Sequence, residues 1–285
     1  MIKKDMIIIG AGLTGLLLAK KLKQSGKECL ILEKSRGLGG RVATRRIDEM
    51  GLDHGAAFLS QLSHDSELKS FTAPQGFYIK KGMNNLAKEL SKDLEILKEQ
   101  KIHKIIKVAE GWQLVSESET QFQCQKLILT APLPQAIELL KQNSLAPDSS
   151  HPLQGIHYSK AIILLATLTD LQPDMQSLDF ETHHFLLMKE RDLHPQGLVL
   201  HLSEKFSDEC FEQSDEEILK QVMNIFKRSP FAKNNIQKFE LKKWRYSRPM
   251  SSYPAHYLEI SPDLYLAGDA FATPMESAEA LIKVL

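Results

Sequence analysis

The stretch from Ile7 to Arg41 constrains this chain more than any other. An apolar run, Met6-Ile7-Ile8-Ile9, suits a strand buried on both faces. Gly10-Ala11-Gly12-Leu13-Thr14-Gly15 follows at once, then the apolar helical run Leu16-Leu17-Leu18-Ala19 into Lys20-Lys21-Leu22. A second apolar run, Cys29-Leu30-Ile31-Leu32, ends in Glu33. Strand, glycine turn, helix, strand and closing acid stand in the order of a dinucleotide-binding fingerprint.

Each part has a physical task. Gly10 permits a tight turn, Gly12 lets a pyrophosphate approach the backbone, and Gly15 lets the helix pack close to the strand. The helix start, with Leu13 and Thr14, presents free N–H groups and a partial positive charge to phosphate. Glu33 suits the two hydroxyls of an adenosine ribose, and its charge disfavours a 2′-phosphate.

The run Lys34-Ser35-Arg36-Gly37-Leu38-Gly39-Gly40-Arg41 separates FAD from NAD. A second glycine pair beyond the ribose acid offers another close backbone approach, and an NAD-only domain has no need of it. Lys34, Arg36, Gly40 and Arg41 join the expected cofactor contacts, with the two arginines set to neutralise a pyrophosphate or brace a ribityl chain. A surface loop with solvated arginines is the bland alternative.

Glu33 to Arg41, Ala43-Thr44-Arg45-Arg46 and Asp53-His54-Gly55-Ala56-Ala57-Phe58 together resemble the renalase-like branch of the FAD-dependent amine-oxidase superfamily. Gly82-Met83-Asn84-Asn85-Leu86, Lys243-Trp244-Arg245-Tyr246-Ser247-Arg248-Pro249 and Leu266-Ala267-Gly268-Asp269-Ala270-Phe271 fit the same branch. The resemblance implies an α/β fold: a Rossmann-like FAD-binding domain of the glutathione-reductase and amine-oxidase type, with a smaller α+β substrate domain on an antiparallel sheet. Residues 1–62, 77–147 and 252–285 are assigned to the first, and 63–76 and 148–251 to the second.

By the same resemblance, Gly55 and Ala56 bring backbone near the flavin, and Ala57 and Phe58 line the site. Phe58 reads equally well as core. The backbone near Ile102 and His103 passes the adenine. Asp269, after Gly268, contacts the ribityl or pyrophosphate part. The helix starting near Pro274, with Met275, Glu276 and Ser277, aims its N-terminus at the flavin. Two departures stand out. Gln61–Gln75 is shorter than the family's excursion into the substrate domain, and the last helix is short, ending with the chain at Leu285.

Trp244 and Tyr246 are candidate substrate-pocket walls, but on an alternating strand they share one face and Arg245 takes the other, so at most one set faces the pocket, and core packing with a surface guanidinium reads equally well. His54 beside its turn reads as a polar residue and not as a covalent flavin anchor. Adjacent His183 and His184 point to opposite faces of a strand and cannot chelate one metal. No HExxH or Cys/His ligand spacing and no G-x-S-x-G elbow occurs.

The remaining segments divide as follows. Asn85–Leu97 has helical apolar spacing, with Leu86, Leu90, Leu94 and Leu97 on one face. Ile102–Val108, Gly111–Val115, Lys126–Leu129, Ala161–Leu168, Gly197–Leu202 and Phe239–Tyr246 read as strands. Pro132 and Pro134 delay helix until Gln135, and Asp215–Lys227 is an amphipathic helix. Asn143–Pro152, rich in Ser, Pro and Asp, crosses between domains.

With 36 basic and 36 acidic residues, no net field favours nucleic acid or an anionic membrane. No apolar run spans a bilayer. Lys3-Lys4 before an apolar run mimics a signal peptide, but Asp5 and the phosphate-loop glycines argue against one. Cys29, Cys124 and Cys210 form no CxxC and suit a reduced, cytoplasmic setting.

A single glycine fingerprint means that a reduced nicotinamide enters only as substrate. The resemblance implies an oxidase that converts isomeric dihydronicotinamide dinucleotides to the aromatic form and passes electrons to oxygen. A flavin oxidase of amines or other small reduced compounds, and a shortened non-catalytic dinucleotide-binding relative, are the alternatives.

Overall fold

The first strand, β1 (Ile2–Ile9), is exposed at its start and buried at Met6, Ile7 and Ile8, where it becomes the centre of a sheet. It turns through Gly10 into α1 (Leu13–Gln24) and then β2 (Leu30–Leu32). Two hairpins follow: β3 (Thr44–Ile47) with β4 (Met50–Asp53), and β5 (Ser70–Ala73) with β6 (Gly76–Ile79). The computed structural model describes residues 1–48, 50–60, 70–73 and 76–285, so the shortened stretch Gln61–Gln75 lies mainly outside the described residues.

Next come α2 (Asn84–Leu90), β7 (Glu95–Leu97), the meander β8 (Ile102–Val108), β9 (Gly111–Ser116) and β10 (Gln121–Leu129), and α3 (Leu133–Gln142). β11 (Tyr158–Leu168), β12 (Leu178–Phe180), β13 (His183–Leu187) and β14 (Gly197–His201) precede α4 (Glu204–Cys210) and α5 (Asp215–Arg228). β15 (Ile236–Pro249), β16 (Tyr257–Ser261), β17 (Leu264–Ala267) and α6 (Pro274–Leu281) complete the order.

Two sheets carry the architecture. The eight-stranded sheet has the order β16-β17-β10-β1-β2-β7, with the β8–β9 hairpin joined through β10. Its centre is parallel: β1 pairs with β10 and β2, β10 with β17, and β2 with β7. Such strands are covered on both faces and read as continuous apolar runs. α1, α2 and α6 cover one face, where Leu16, Leu18, Leu22, Leu86 and Leu281 meet Ile8 and Ile31. The meander and α3 cover the other, around Trp112, Phe122 and Leu140. The chain is thus α/β with a Rossmann-like core.

The second sheet is antiparallel, ordered β12-β13-β14-β11-β15. Alternation splits its side chains. Ile162, Leu164, Leu198 and Leu200 face α5, whose Ile218, Val222 and Phe226 recur at helical spacing. Ile163, Leu165, Leu186 and Val199 face the other way, onto Leu52, Ala57 and Phe58. This inner face therefore roofs the segment that follows β4.

Two element boundaries differ from the sequence reading. The helix expected through Leu97 ends at Leu90, with Ser91 as its C-cap and Asp93 at φ 61°. Residues 95–97 instead form β7, because the exposed edge of β2 supplies parallel backbone partners that outweigh the leucine spacing. α3 begins at Leu133, not Gln135, with Pro134 in its first turn, where a missing N–H costs nothing.

Gly15 sits where α1 meets the turn. A Cβ there would lie 2.1 Å from the Gly10 carbonyl oxygen, and backbone would have to yield. Gly15→Ala should therefore lower unfolding stability by on the order of 3 kcal/mol. A urea curve within about 0.5 kcal/mol of wild type would contradict this packing.

Candidate active site

The two glycine turns are one structure. Gly39 N–H donates to the Ala11 carbonyl at 2.8 Å, and Gly12 and Gly39 form a parallel bridge. The Glu33 carboxylate joins them from below: one oxygen accepts Ala11 N–H and the other Ser35 N–H, each at 2.8 Å. Each oxygen keeps a lone pair for another donor.

α1 begins at this junction with Gly12 as N-cap and no side-chain cap, and its first turn holds no acid. The first-turn amides at Leu13, Thr14 and Gly15 thus carry the unneutralised positive end of the helix. A Cβ on Gly12 would meet nothing within 4 Å, so open space lies against this backbone. The residues fit the adenosine and pyrophosphate half of a dinucleotide.

The second loop is tied onward. Ala56 N–H donates to the Arg41 carbonyl at 2.7 Å, and His54 N–H to the Ala43 carbonyl at 2.9 Å. A Cβ on Gly55 would lie 1.9 Å from the Arg41 carbonyl oxygen, which explains glycine there. The Gly55–Phe58 turn is thereby fixed beside the glycine turns.

Arg41 reaches across the crevice. Its Nη1 donates to Asp269 Oδ2 at 2.5 Å and to the Ser247 carbonyl at 3.0 Å. Asp269 Oδ1 accepts the Tyr158 hydroxyl at 2.9 Å. Burial acts to lower the Arg41 pKa, but the Asp269 hydrogen bond and charge outweigh it and the net direction is up. Burial, then the Asp269 charge, pushes the Tyr158 phenol up. Tyr158 stands at the start of β11, with no local sequence signal to mark it.

The side chains of several other expected contacts have partners within the chain. Arg36 is 91 % exposed and pairs with Glu99 at 2.9 Å. Lys34 Nζ donates to Gln135 at the rim. The Ile102 side chain is buried in the core with Leu30 and Leu32, leaving only its backbone available. Glu276 turns back into a capping box with Thr273, so its carboxylate neutralises the start of α6. Ser277 is fully buried, accepting from Gly268 N–H at 2.9 Å and donating to the His256 carbonyl at 2.8 Å. The Ser277 side chain thus ties α6 to the end of β17, while the Glu276 carboxylate caps its own helix.

Trp244 and Tyr246 share the inner face of β15. Trp244 Nε1 donates to the His54 carbonyl at 2.7 Å and stacks on the His54 ring at 5.6 Å, while Tyr246 meets Tyr158 edge-on at 6.0 Å. Arg245 takes the outer face, paired with Glu212 at 2.7 and 3.1 Å. Phe58 packs under the sheet and meets Tyr78 edge-on at 6.4 Å.

Sequence reasoning missed His201, on the same sheet face. Among the described residues, His54 Nδ1 and His201 Nε2 are buried without hydrogen-bond partners. Burial, then the nearby Lys242 charge, pulls His54 down to about 4, and burial pulls His201 down to about 3. Among the described residues, no three His, Cys, Asp or Glu side chains cluster as metal ligands, and no helix is long and apolar enough to cross a membrane. The three cysteines are buried and free.

Comparison with known proteins decides the family. Residues 8–74 match an NAD(P)-binding Rossmann-like domain, and residues 50–278 match the flavin containing amine oxidoreductases. The chain belongs to the flavin-containing amine oxidoreductase family. It is 46% identical to the L-amino acid oxidase of Cerastes cerastes over 48 residues, 17% of this chain and 9% of that one. It is 48% identical to the L-amino-acid oxidase of Trimeresurus stejnegeri over 48 residues, with the same shares. The matched stretch is thus a small part of those oxidases. Among solved structures, a redesigned putrescine oxidase aligns at TM-score 0.72 and 12% identity, covering 99% of both chains. An oxidoreductase from Methanosarcina mazei aligns at TM-score 0.66 and 12% identity, over 98% of this chain and 100% of that one. At such identities these members share the fold.

Two measurements check the site. Gly12 has φ −74° and ψ 179°, which alanine adopts freely. Gly12→Ala should leave thermal unfolding unchanged yet weaken FAD by about tenfold or more in a fluorescence titration. Loss of stability without loss of affinity would reverse that reading. The second concerns acid. Both histidines have folded pKa values below the ordinary 6.5, so the unfolded chain binds protons first. Stability is fully present above about pH 6.5 and falls as pH drops toward 4, by up to ~1.4 kcal/mol per pH unit for each histidine. His54→Gln and His201→Gln should each flatten that slope in urea titrations, and an unchanged slope would refute the assignment.

Proposed function

We propose that this chain is an FAD-dependent oxidase that takes a hydride from a small reduced substrate and passes the electrons to oxygen. The observation that carries this reading is the joined pair of glycine turns, held by Glu33 and opening onto the uncapped start of α1. Family membership supports it. FAD, when bound, supplies the hydride acceptor at flavin N5, which is why the protein needs no nucleophile of its own.

The residues divide the work. Gly10, Gly12, Leu13, Thr14 and Gly15 would hold the pyrophosphate by backbone, and Glu33 the ribose. Arg41 and Asp269 would brace the middle of the cofactor. Gly55, Ala56, Ala57 and Phe58 would support its flavin end, with Gly268 permitting close approach at φ 139°. Trp244 and Tyr246 would wall the substrate side and exclude water. His54, held neutral and stacked on Trp244, would back that wall without adding charge. Isomeric dihydronicotinamide dinucleotides are the substrates to which the renalase-like motifs lead, and the zero net charge supports a small-molecule substrate with no nucleic acid or membrane partner.

A second reading keeps the chemistry and changes the substrate to an amine or another small reduced compound. The aromatic wall favours it, because the buried cation beside Phe58, Arg191, is engaged by Asp53 and not left for a substrate phosphate.

Protein purified with FAD should be yellow, bleach anaerobically on addition of isomeric dihydronicotinamides, and recover its colour with oxygen while releasing peroxide. Bleaching by amines alone selects the second reading. A colourless protein that takes up no FAD at any concentration overturns both.

A further inference from the structure

An ion pair that solvent does not reach lies behind the Gly55–Phe58 turn. Asp53 and Arg191 are 1% and 4% exposed, with Nη1 and Oδ2 3.4 Å apart. Asp53 Oδ1 accepts the Thr44 hydroxyl at 2.6 Å and Met83 N–H at 2.9 Å. The Arg191 guanidinium lies 5.0 Å from the Phe58 ring centroid and 4.8 Å from that of Tyr78. Its carbonyl accepts Lys81 N–H at 2.8 Å. One side chain from the 3₁₀ turn Met188–Arg191, at the end of β13, thus touches the end of β4, the turn beyond it and β6.

Stability alone does not account for this choice. A buried ion pair contributes little net stability over apolar residues of similar volume. Burial pushes the Asp53 carboxyl up and the Arg191 guanidinium down, and their mutual attraction only opposes those shifts. What a planar cation adds is geometry. It lies within cation–π distance of two aromatic rings while an N–H meets a carboxylate, and lysine's compact ammonium does not combine these as well.

We propose that Arg191 is a positioning residue for the flavin end of the cofactor: through Phe58, Tyr78 and Asp53 it sets the Gly55–Phe58 turn at the height the flavin requires. The inference rests on the FAD reading above. It couples the antiparallel sheet, which walls the substrate, to the loop that supports the cofactor.

The test separates the two ends of the cofactor. FAD and ADP-ribose are titrated into the apoprotein of wild type and Arg191→Lys, with thermal unfolding measured alongside. ADP-ribose lacks the flavin and reports only on the glycine turns and Glu33. Arg191→Lys keeps the charge opposite Asp53 but loses the guanidinium contact with the two rings. The expected result is ADP-ribose affinity within about twofold of wild type, FAD weakened about tenfold, and a shifted absorption spectrum of bound flavin. If Arg191→Lys does not fold, the double variant Asp53→Asn/Arg191→Met, which removes both charges together, is read in the same way. Equal weakening of both ligands, or unchanged FAD affinity, assigns Arg191 to the fold alone and overturns the proposal. Wild type that binds ADP-ribose but not FAD removes the FAD reading and the inference with it, whereas wild type that binds both and variants that match it remove only the inference.

Discussion

A single carboxylate holds the candidate site together. Glu33, 8% exposed, accepts one backbone N–H from each side of the crevice floor, Ala11 from the first glycine turn and Ser35 from the second loop. Glycine-rich backbone has too much freedom to hold a shape unaided. The charge-assisted bonds to Glu33 and the Gly39–Ala11 bond fix its course. The start of α1 then needs no capping side chain, and its first-turn amides stay available to an anion. From Gly39 and Gly40 the chain runs to Arg41, whose carbonyl anchors Ala56 and whose guanidinium pairs with Asp269. Removing Glu33 would loosen every later contact in that series.

The antiparallel sheet does a different job with its two faces. One is plain core, Leu and Ile against α5. The other mixes Ile163, Leu165 and Val199 with Trp244 and the half-buried His201. Strand periodicity allows this, because one strand can pack a core and furnish a site with alternate residues. The neighbours across strands keep the same division: Ile163 of β11 lies beside His201 of β14 and Lys242 of β15. A polar rung is thus set within an apolar face directly above Leu52 and Phe58.

What could be read from sequence was local. The β1–α1–β2 unit, the meander, β11, β14 and α5 each announce themselves by periodicity and turn residues within a dozen positions. The face of β15 that carries Trp244 and Tyr246 followed from alternation. β7 could not be read, because three residues with leucine spacing became strand only where β2 offered an edge. The partner of Arg36 was illegible for a related reason. Arginine beside glycine marks a loop, but direction is set by partners such as Glu99, which is distant in sequence. The start of α6 is legible from Pro274, but the partners of Glu276 and Ser277, Thr273 and Gly268, are settled by the fold. Tyr158, Arg191 and His201 act through partners more than a hundred residues away, or through the lack of any, and no window of sequence contains that relation.

Under the proposed reading, the cofactor cradle and the substrate wall differ in kind. The cradle is built of backbone amides and one acid, and few residue types can serve. Glycine at position 55, 1.9 Å of virtual Cβ contact from Arg41, has no substitute. The wall is built of aromatic and neutral imidazole side chains on strands that tolerate many residues at each rung. A fold of this sort keeps its dinucleotide chemistry while the wall is free to change. A solved structure at 12% identity aligns over 99% of the chain, which is a likeness of fold. Under the proposed reading, specificity lies in which side chains the inner face of β11, β14 and β15 presents. Catalytic competence lies in how firmly that sheet grips the turn beneath it. The contact where the two meet is the Arg191 guanidinium, lying against Phe58 of the cradle and rooted in the wall.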